Sequence, residues 1–165
     1  AENADRHRRE YLWPVYFSGG NIEFILEELL ETDDFRKYEL HWRYMGHARL
    51  FMEIYLPFWE MTPADELVTG ATTYQGKHNL VTAQVFAKAG ECYAVYFPVA
   101  SETGSIDLSG AEGKLVQQWY NPRTGEFAET EKQIVGGGFV VLGPPPEDPE
   151  EDWVAWIRRP QDWGR

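Results

Sequence analysis

Apolar side chains recur at helical spacing through the first 62 residues. The spacing predicts a helix over Asp5–Phe17, kinked at Pro14 because proline cannot donate to the helical ladder, and a second helix over Asp33–Tyr55. The short apolar run Asn21–Leu26 between them favours a strand. A stripe of apolar residues at steps of three or four marks the expected packing face of the second helix: Phe35, Tyr38, Trp42, Met45, Ala48, Met52, Tyr55 and Trp59.

Beyond residue 62 the period of the pattern changes to two, which is typical of strands. Alternating residues at 81–88, a turn, and the apolar run Cys92–Pro98 predict a β-hairpin. About seven or eight short strands separated by turn residues predict an antiparallel β-sandwich. The expected fold class is therefore α+β by content, with a helical flank at 1–62 and a sandwich at 63–165.

Aromatic residues are more numerous than a core of this size usually needs, with 7 Trp, 9 Tyr and 9 Phe. Adjacent strand residues face opposite sides of a sheet, so Trp119 and Tyr120 cannot share one core, and Trp153 and Trp156 are separated in the same way. Two interpretations stay open: some rings form an exposed platform for a sugar or a polyproline-like chain, or the helices cover them. Arg123 is a further candidate ligand-binding residue, because it lies at the tip of a predicted type I turn.

The charge and the cysteine count exclude several function classes. A net charge of −12 argues against general nucleic-acid binding and against anionic membrane surfaces. No apolar span approaches the roughly 20 residues that a membrane helix needs. The single cysteine, Cys92, excludes an internal disulfide and a Cys-based zinc site, and its alternation with Ala94 predicts a buried structural thiol.

The sequence offers little support for catalysis. It contains no His-Glu-x-x-His motif, no phosphate-binding loop and no Gly-x-Ser-x-Gly elbow, and we expect no metal and no cofactor. The carboxylates between residues 27 and 34 are expected on a solvated loop, with an acid/base or metal site as the alternative. Arg6, Arg8 and Arg9 are expected on a solvated helix face.

Eight short segments resemble, in order, a known family: Leu56-Pro-Phe-Trp-Glu-Met61, Pro63-Ala-Asp-Glu-Leu67, Gly90-Glu-Cys-Tyr-Ala-Val-Tyr-Phe-Pro98, Ile106-Asp-Leu-Ser-Gly110, Trp119-Tyr-Asn-Pro-Arg-Thr-Gly-Glu126, Gly136-Gly-Gly138, Leu142-Gly-Pro-Pro-Pro146 and Glu151-Asp-Trp-Val-Ala-Trp156. They resemble the C-terminal end of apiosidase-like, predicted (β/α)8 glycoside hydrolases. The last domain of those proteins is a β-sandwich named as a "putative collagen-binding domain of a collagenase". The most specific combination is the Trp-Tyr-Asn-Pro-Arg-Thr-Gly segment followed by the late Asp-Trp-Val.

The resemblance implies that the helical flank matches the last two βα units of such a barrel. The two carboxylates that a glycosidase needs are then expected upstream of Ala1. The implied function is a non-catalytic accessory module that braces an upstream (β/α)8 domain or binds collagen or a polysaccharide, in an extracellular or periplasmic protein. Self-association through the apolar face of the flank is a further expectation. The alternative is an active glycoside hydrolase fragment that uses Glu23 with a nearby carboxylate.

Overall fold

The N-terminal helical stretch confirms the first predicted helix. A computed structural model describes residues 2–23 and 35–160 of the chain. Pro14 lies in the first turn of the last helical piece, and the wide turn before it accommodates the missing backbone donor. The stretch has three consecutive pieces: α1 (Glu2–His7), a π-helical turn (Arg8–Leu12) and α2 (Trp13–Phe17).

The second helical stretch is also confirmed from residue 35 onward. Its predicted start at Asp33 lies outside the described residues. The expected strand Asn21–Leu26 is described only at residues 21–23, which have no regular secondary structure. No helix in the described part of the chain is long and apolar enough to span a membrane. The stretch has three pieces: a 3-10 turn (Phe35–Tyr38), α3 (Glu39–Leu50) and a π-helical turn (Phe51–Tyr55).

The packing face of α3 differs in part from the predicted stripe. Ala48 is buried as expected, but Trp42 is 39% exposed and Trp59 is 69% exposed, so the prediction that both belong to the packing face is wrong. Met45, Met52 and Tyr55 pack toward the core as predicted, and the inward face also includes Tyr44 and Phe51. The Tyr44 hydroxyl donates a hydrogen bond to Asp5 of the first helix at 2.7 Å, a contact that an apolar stripe does not predict.

Eleven strands follow within residues 62–158, and all their pairings are antiparallel. The predicted hairpin is confirmed as the pair β5–β6, and the turn at 121–125 joins β8 to β9. The strands are β1 (Thr62–Pro63), β2 (Val68–Ala71), β3 (Tyr74–Gln75), β4 (Leu80–Val81), β5 (Gln84–Lys88), β6 (Cys92–Phe97), β7 (Thr103–Asp107), β8 (Gly113–Asn121), β9 (Glu126–Gly136), β10 (Phe139–Val141) and β11 (Trp153–Arg158).

The large sheet has the strand order β1-β5-β6-β11-β8-β9 in the described chain. A smaller sheet of order β10-β7-β2 packs on one of its faces, which gives the predicted sandwich. The helices cover the other face of the large sheet. The fold is therefore α+β with three layers, and the large sheet lies in the middle.

Two hydrophobic cores lie on the two sides of the large sheet. The core toward the small sheet contains Trp119 and Trp153, whereas the core toward the helices contains Tyr96, Tyr120 and Trp156. Because both faces of β6 and β11 are covered, residues 92–97 and 153–157 are buried without alternation. This double burial accounts for the large number of aromatic rings.

The turn between β8 and β9 also contacts the helices. The Gly125 amide donates to the Asn121 carbonyl at 2.9 Å, and the Asn121 side chain accepts from the Arg123 amide at 3.0 Å. Gly125 has φ +78°, and a Cβ there would lie 2.6 Å from the His47 ring. The turn is therefore shaped to fit against α3.

Candidate functional site

A buried ion pair joins the N-terminal helix to the sandwich. The Arg8 guanidinium donates from Nε and Nη2 to the two carboxylate oxygens of Asp152 at 2.8 and 2.9 Å. Arg8 is 1% exposed and Asp152 is fully buried. The prediction that Arg8 lies on a solvated helix face is therefore wrong, because its partner comes from a part of the chain 144 residues away.

Three further side chains complete the hydrogen bonding of this pair. The Tyr96 hydroxyl donates to Asp152 at 3.2 Å, and Arg8 donates from Nη1 to Asp5 at 2.6 Å. Tyr44 donates to the same Asp5 oxygen at 2.7 Å, while the centre of its ring lies 4.2 Å from the Arg8 guanidinium carbon. Buried charges need such additional bonds to offset their loss of hydration.

The electrostatics of this network favour a charged Asp5 and a neutral Tyr44. Burial acts to raise the pKa of Asp5, but the hydrogen bonds from Tyr44 and Arg8 outweigh it and hold the pKa below its ordinary value. Burial and the hydrogen bond to Asp5 raise the pKa of Tyr44 to about 12. Asp5 therefore accepts from both Arg8 and Tyr44 as a charged carboxylate.

An open cleft of about 900 Å³ lies beside this ion pair. Four segments that are distant in sequence form it: the N-terminal helix, the hairpin β3–β4, the turn β8–β9, and the loop before β11. Four acidic side chains, four basic side chains and one tyrosine line the cleft: Asp5, Glu10, Asp148, Glu151, Arg6, Arg9, Lys77, Arg123 and Tyr74.

Ion pairs organise one wall of the cleft around Glu151. Glu151 accepts a hydrogen bond from Arg9 and lies 3.7 Å from Nη1 of Arg123. Arg123 also contacts Asp148 at 3.4 Å, and its guanidinium carbon lies 5.2 Å from the centre of the Trp153 ring. Arg123 therefore lines the cleft and is held there by acidic neighbours.

Glu10 also lines the cleft. One carboxylate oxygen accepts a hydrogen bond from the Lys77 amide at 2.9 Å, and the other has no hydrogen-bond partner although Glu10 is only 5% exposed. A Cβ on Gly76 would lie 2.6 Å from the Glu10 carboxyl carbon. Glycine at position 76 therefore allows the hairpin to close on this carboxylate.

The aromatic candidates lie elsewhere. Trp119, Tyr120, Trp153 and Trp156 are buried in the two cores, with at most 7% of each side chain exposed. The expectation that some of these rings form an exposed platform is wrong for this structure, because helices cover one face of the large sheet and the small sheet covers the other. The structure instead agrees with the other interpretation, in which these rings are packed in the hydrophobic cores.

The catalytic and metal expectations concern other residues. Glu23 is exposed, and the carboxylates at 27–34 that could act with it lie outside the described residues. Among the described residues, no group of three or more His, Cys, Asp or Glu side chains could hold a metal ion. Cys92 is fully buried as predicted, and burial raises the pKa of its thiol to about 11.

The residues that the sequence did not reveal are Glu10, Arg9 and the acidic residues of the loop at 147–152. Local pattern gives no signal for them, because each pairs with a segment far away in the chain. The one hint is compositional: two adjacent arginines in a helix and a run of carboxylates before the last strand.

Comparisons with known proteins add a family and a fold. A family model described as "Putative collagen-binding domain of a collagenase" matches residues 63–157. No curated protein sequence matches the chain. Among solved structures, a protein named "Glycoside hydrolase" superposes with a TM-score of 0.70 at 15% identity over 97% of this chain. A glycoside hydrolase family 5 protein from Bacteroides vulgatus gives a TM-score of 0.68 at 15% identity over 98% of this chain. The match spans 38% of the length of each of those two proteins.

Proposed function

Because this chain belongs to the family described as "Putative collagen-binding domain of a collagenase", we propose that it is a non-catalytic accessory module, held rigidly against a glycoside-hydrolase-like catalytic domain. The helical flank, residues 1–62, is the connecting part, and the sandwich, residues 63–165, is the module itself. Such a protein would act outside the cell, where polymeric substrates are found.

The buried Arg8–Asp152 pair carries this proposal. A flexible tether needs no bidentate ion pair that is removed from water, and such a pair is costly unless its geometry is fixed. Around it, Trp13 stacks on Tyr96 with ring centroids 5.6 Å apart and an interplanar angle of 10°. Charge pairing and aromatic packing together favour one fixed orientation of the flank on the sandwich.

Exposed apolar side chains on the outer side of the flank favour the presence of a neighbouring domain. Leu50, Ile54, Phe58 and Trp59 are 41–69% exposed within ten residues of each other, which is unusual for large apolar side chains. We assign this surface to a catalytic domain of the glycoside hydrolase type. The two solved relatives supply the argument, since this fold accounts for only 38% of each of those chains.

Hydrogen exchange tests the rigid attachment. If flank and sandwich form one cooperative unit, amides of α3 and of β6 should open with the same free energy, the global one. The Asp152→Asn variant should then lower the protection of the N-terminal helix and of β6 by the same amount, because both open only through global unfolding. Exchange of α3 at a much lower free energy than β6 in the wild-type chain would contradict a rigid brace.

An activity assay tests the non-catalytic assignment. The purified chain should not hydrolyse aryl glycosides or plant oligosaccharides, because Glu23 is exposed and the two carboxylates that a glycosidase needs are assigned to the catalytic domain. Turnover that disappears in the Glu23→Gln variant would overturn the assignment and favour the active hydrolase instead.

A further inference from the structure

The bracing role leaves the charged cleft unused. The cleft lies at the junction of flank and sandwich, and its volume of about 900 Å³ is within the range of small-molecule binding sites. The segments of its wall are held in place by contacts between them. Glu151 pairs with Arg9 and Arg123, and the Lys77 amide donates a hydrogen bond to the Glu10 carboxylate. The cleft is thus preformed, which reduces the ordering cost of binding.

The polar atoms at the cleft are not all satisfied. Nε of Arg9 and Nη1 of Arg123 are buried donors without a hydrogen bond, and Oε2 of Glu10 is a buried acceptor without one. Nε of Arg9 is still 3.6 Å from Asp152, too far for a hydrogen bond. Buried groups of this kind in folded proteins are satisfied by ordered water or by a ligand.

We propose that this cleft binds a neutral carbohydrate through vicinal hydroxyl groups. A hydroxyl both donates and accepts, so the hydroxyl groups of an oligosaccharide can pair with the donors of Arg9 and Arg123 and with the acceptor of Glu10. Hydrogen bonds to charged side chains are about twice as strong as those between neutral groups. This site is separate from the buried aromatic rings, and the proposal that it binds a sugar does not depend on the bracing role.

The charge balance of the lining excludes strongly charged ligands. Four acidic and four basic side chains compensate each other, so neither an anion nor a cation gains from a net local field. The chain as a whole carries −12, which further opposes polyanions. A collagen triple helix presents three chains wound around one axis, and its convex surface fits a shallow trough better than a cleft between four segments.

Solution NMR on the intact chain with a panel of oligosaccharides tests the proposal. Cellohexaose, xylohexaose and mannohexaose would be titrated to about 10 mM, beyond the millimolar dissociation constants expected of weak sugar sites. At least one should give saturable shifts at residues 74–77, 123 and 148–151. A triple-helical (Pro-Hyp-Gly)10 peptide serves as the second arm. No saturable shift with any sugar, or shifts at these residues with the peptide alone, would overturn the proposal.

Variants separate this site from a non-specific effect. Glu10→Gln keeps the shape of the side chain and an acceptor for the Lys77 amide, and should weaken binding about tenfold or more by removing the charge. Arg123→Gln gives an independent second test. The matched control is Glu53→Gln, an exposed carboxylate that does not line the cleft. Unchanged affinity in both cleft variants, with the wild-type NMR fingerprint retained, would place the ligand elsewhere and refute the assignment.

Discussion

Asp152 is a single side chain on which the attachment of the N-terminal helix depends. It is fully buried and accepts from Arg8 and Tyr96. Replacing it with Asn removes the counter-charge and leaves a buried guanidinium with only Asp5 as its acidic partner. We expect Asp152→Asn to lower the free energy of unfolding by about 3–5 kcal/mol, as is usual when one partner of a buried pair is removed. Urea denaturation measures this directly.

The matched control for this prediction is an exposed ion pair. Arg49 is 70% exposed and pairs with Glu53 one helical turn away at 2.8 Å. Arg49→Ala should change stability little, because exposed pairs are screened by water and salt. A double-mutant cycle on Arg8→Met and Asp152→Asn should also show strong coupling. Equal effects at Asp152 and Arg49, or additive effects in the cycle, would contradict the role given to the buried pair.

Two glycines should respond to alanine with opposite signs. Gly125 has φ +78° and lies against His47, so Gly125→Ala adds both backbone strain and a collision. Gly46 lies inside α3, and no heavy atom lies within 4 Å of the position that a Cβ would occupy, so Gly46→Ala should stabilise the helix by about 0.5–1 kcal/mol. Thermal unfolding of the two variants gives the comparison, and a Gly125→Ala variant as stable as the wild-type chain would refute the fit of the turn against α3.

His7 makes stability depend on pH in a defined direction. Burial lowers the pKa of His7 to about 4, and the neighbouring His41 adds to the effect. An unfolded histidine has a pKa near 6.5, so between about pH 6.5 and 4 the unfolded state binds more protons. Stability should therefore fall as the pH falls through this window and stay level above it. His7→Gln should flatten the slope between pH 7.5 and 4.5 in urea denaturation, and an unchanged slope would contradict this assignment.

At the scale of elements, the interface between the helices and the large sheet depends on Trp13 and not on Trp42. Trp13 is fully buried and contacts Phe51, Tyr96 and Tyr120, whereas Trp42 is 39% exposed. Trp13→Ala should cost about 3–5 kcal/mol of unfolding free energy, the range for a large buried aromatic ring. Trp42→Ala should cost about 1 kcal/mol or less. The reverse order in chemical denaturation would mean that the helices dock through the predicted stripe after all.

The elements themselves were largely predictable, because their signals are local. The hairpin of β5 and β6, the buried Cys92 and the opposite orientations of Trp119 and Tyr120 follow from a period of two and from one turn. The burial of Tyr44 was not predicted, and its hydrogen-bond partner Asp5 lies 39 residues away in the chain. The cleft was missed for the same reason: its charged residues come from four segments that no local pattern relates.

The three-layer arrangement explains the composition of the whole chain. A sheet exposed on one face needs apolar residues at alternate positions, but one covered on both faces needs them at every position. Residues 92–97 and 153–157 meet the second requirement. The aromatic residues of β6 and β11 are therefore a consequence of double coverage.

The outer face of the helical flank determines whether copies of the isolated chain associate with one another. Leu50, Ile54, Phe58 and Trp59 are exposed there, while a net charge of −12 repels a second copy. Salt screens the repulsion, with a Debye length of about 10 Å at 0.1 M and about 3 Å at 1 M, but leaves apolar contact intact. We therefore expect weak self-association that increases with salt and with protein concentration in sedimentation velocity.

Ile54→Ser combined with Trp59→Ser should abolish it, whereas Val135→Ser, an equally exposed change on β9, should not. A chain that stays monomeric at every salt concentration, or that associates regardless of the double change, would show that this face is not an adhesive surface and would remove the argument for a neighbouring domain on it.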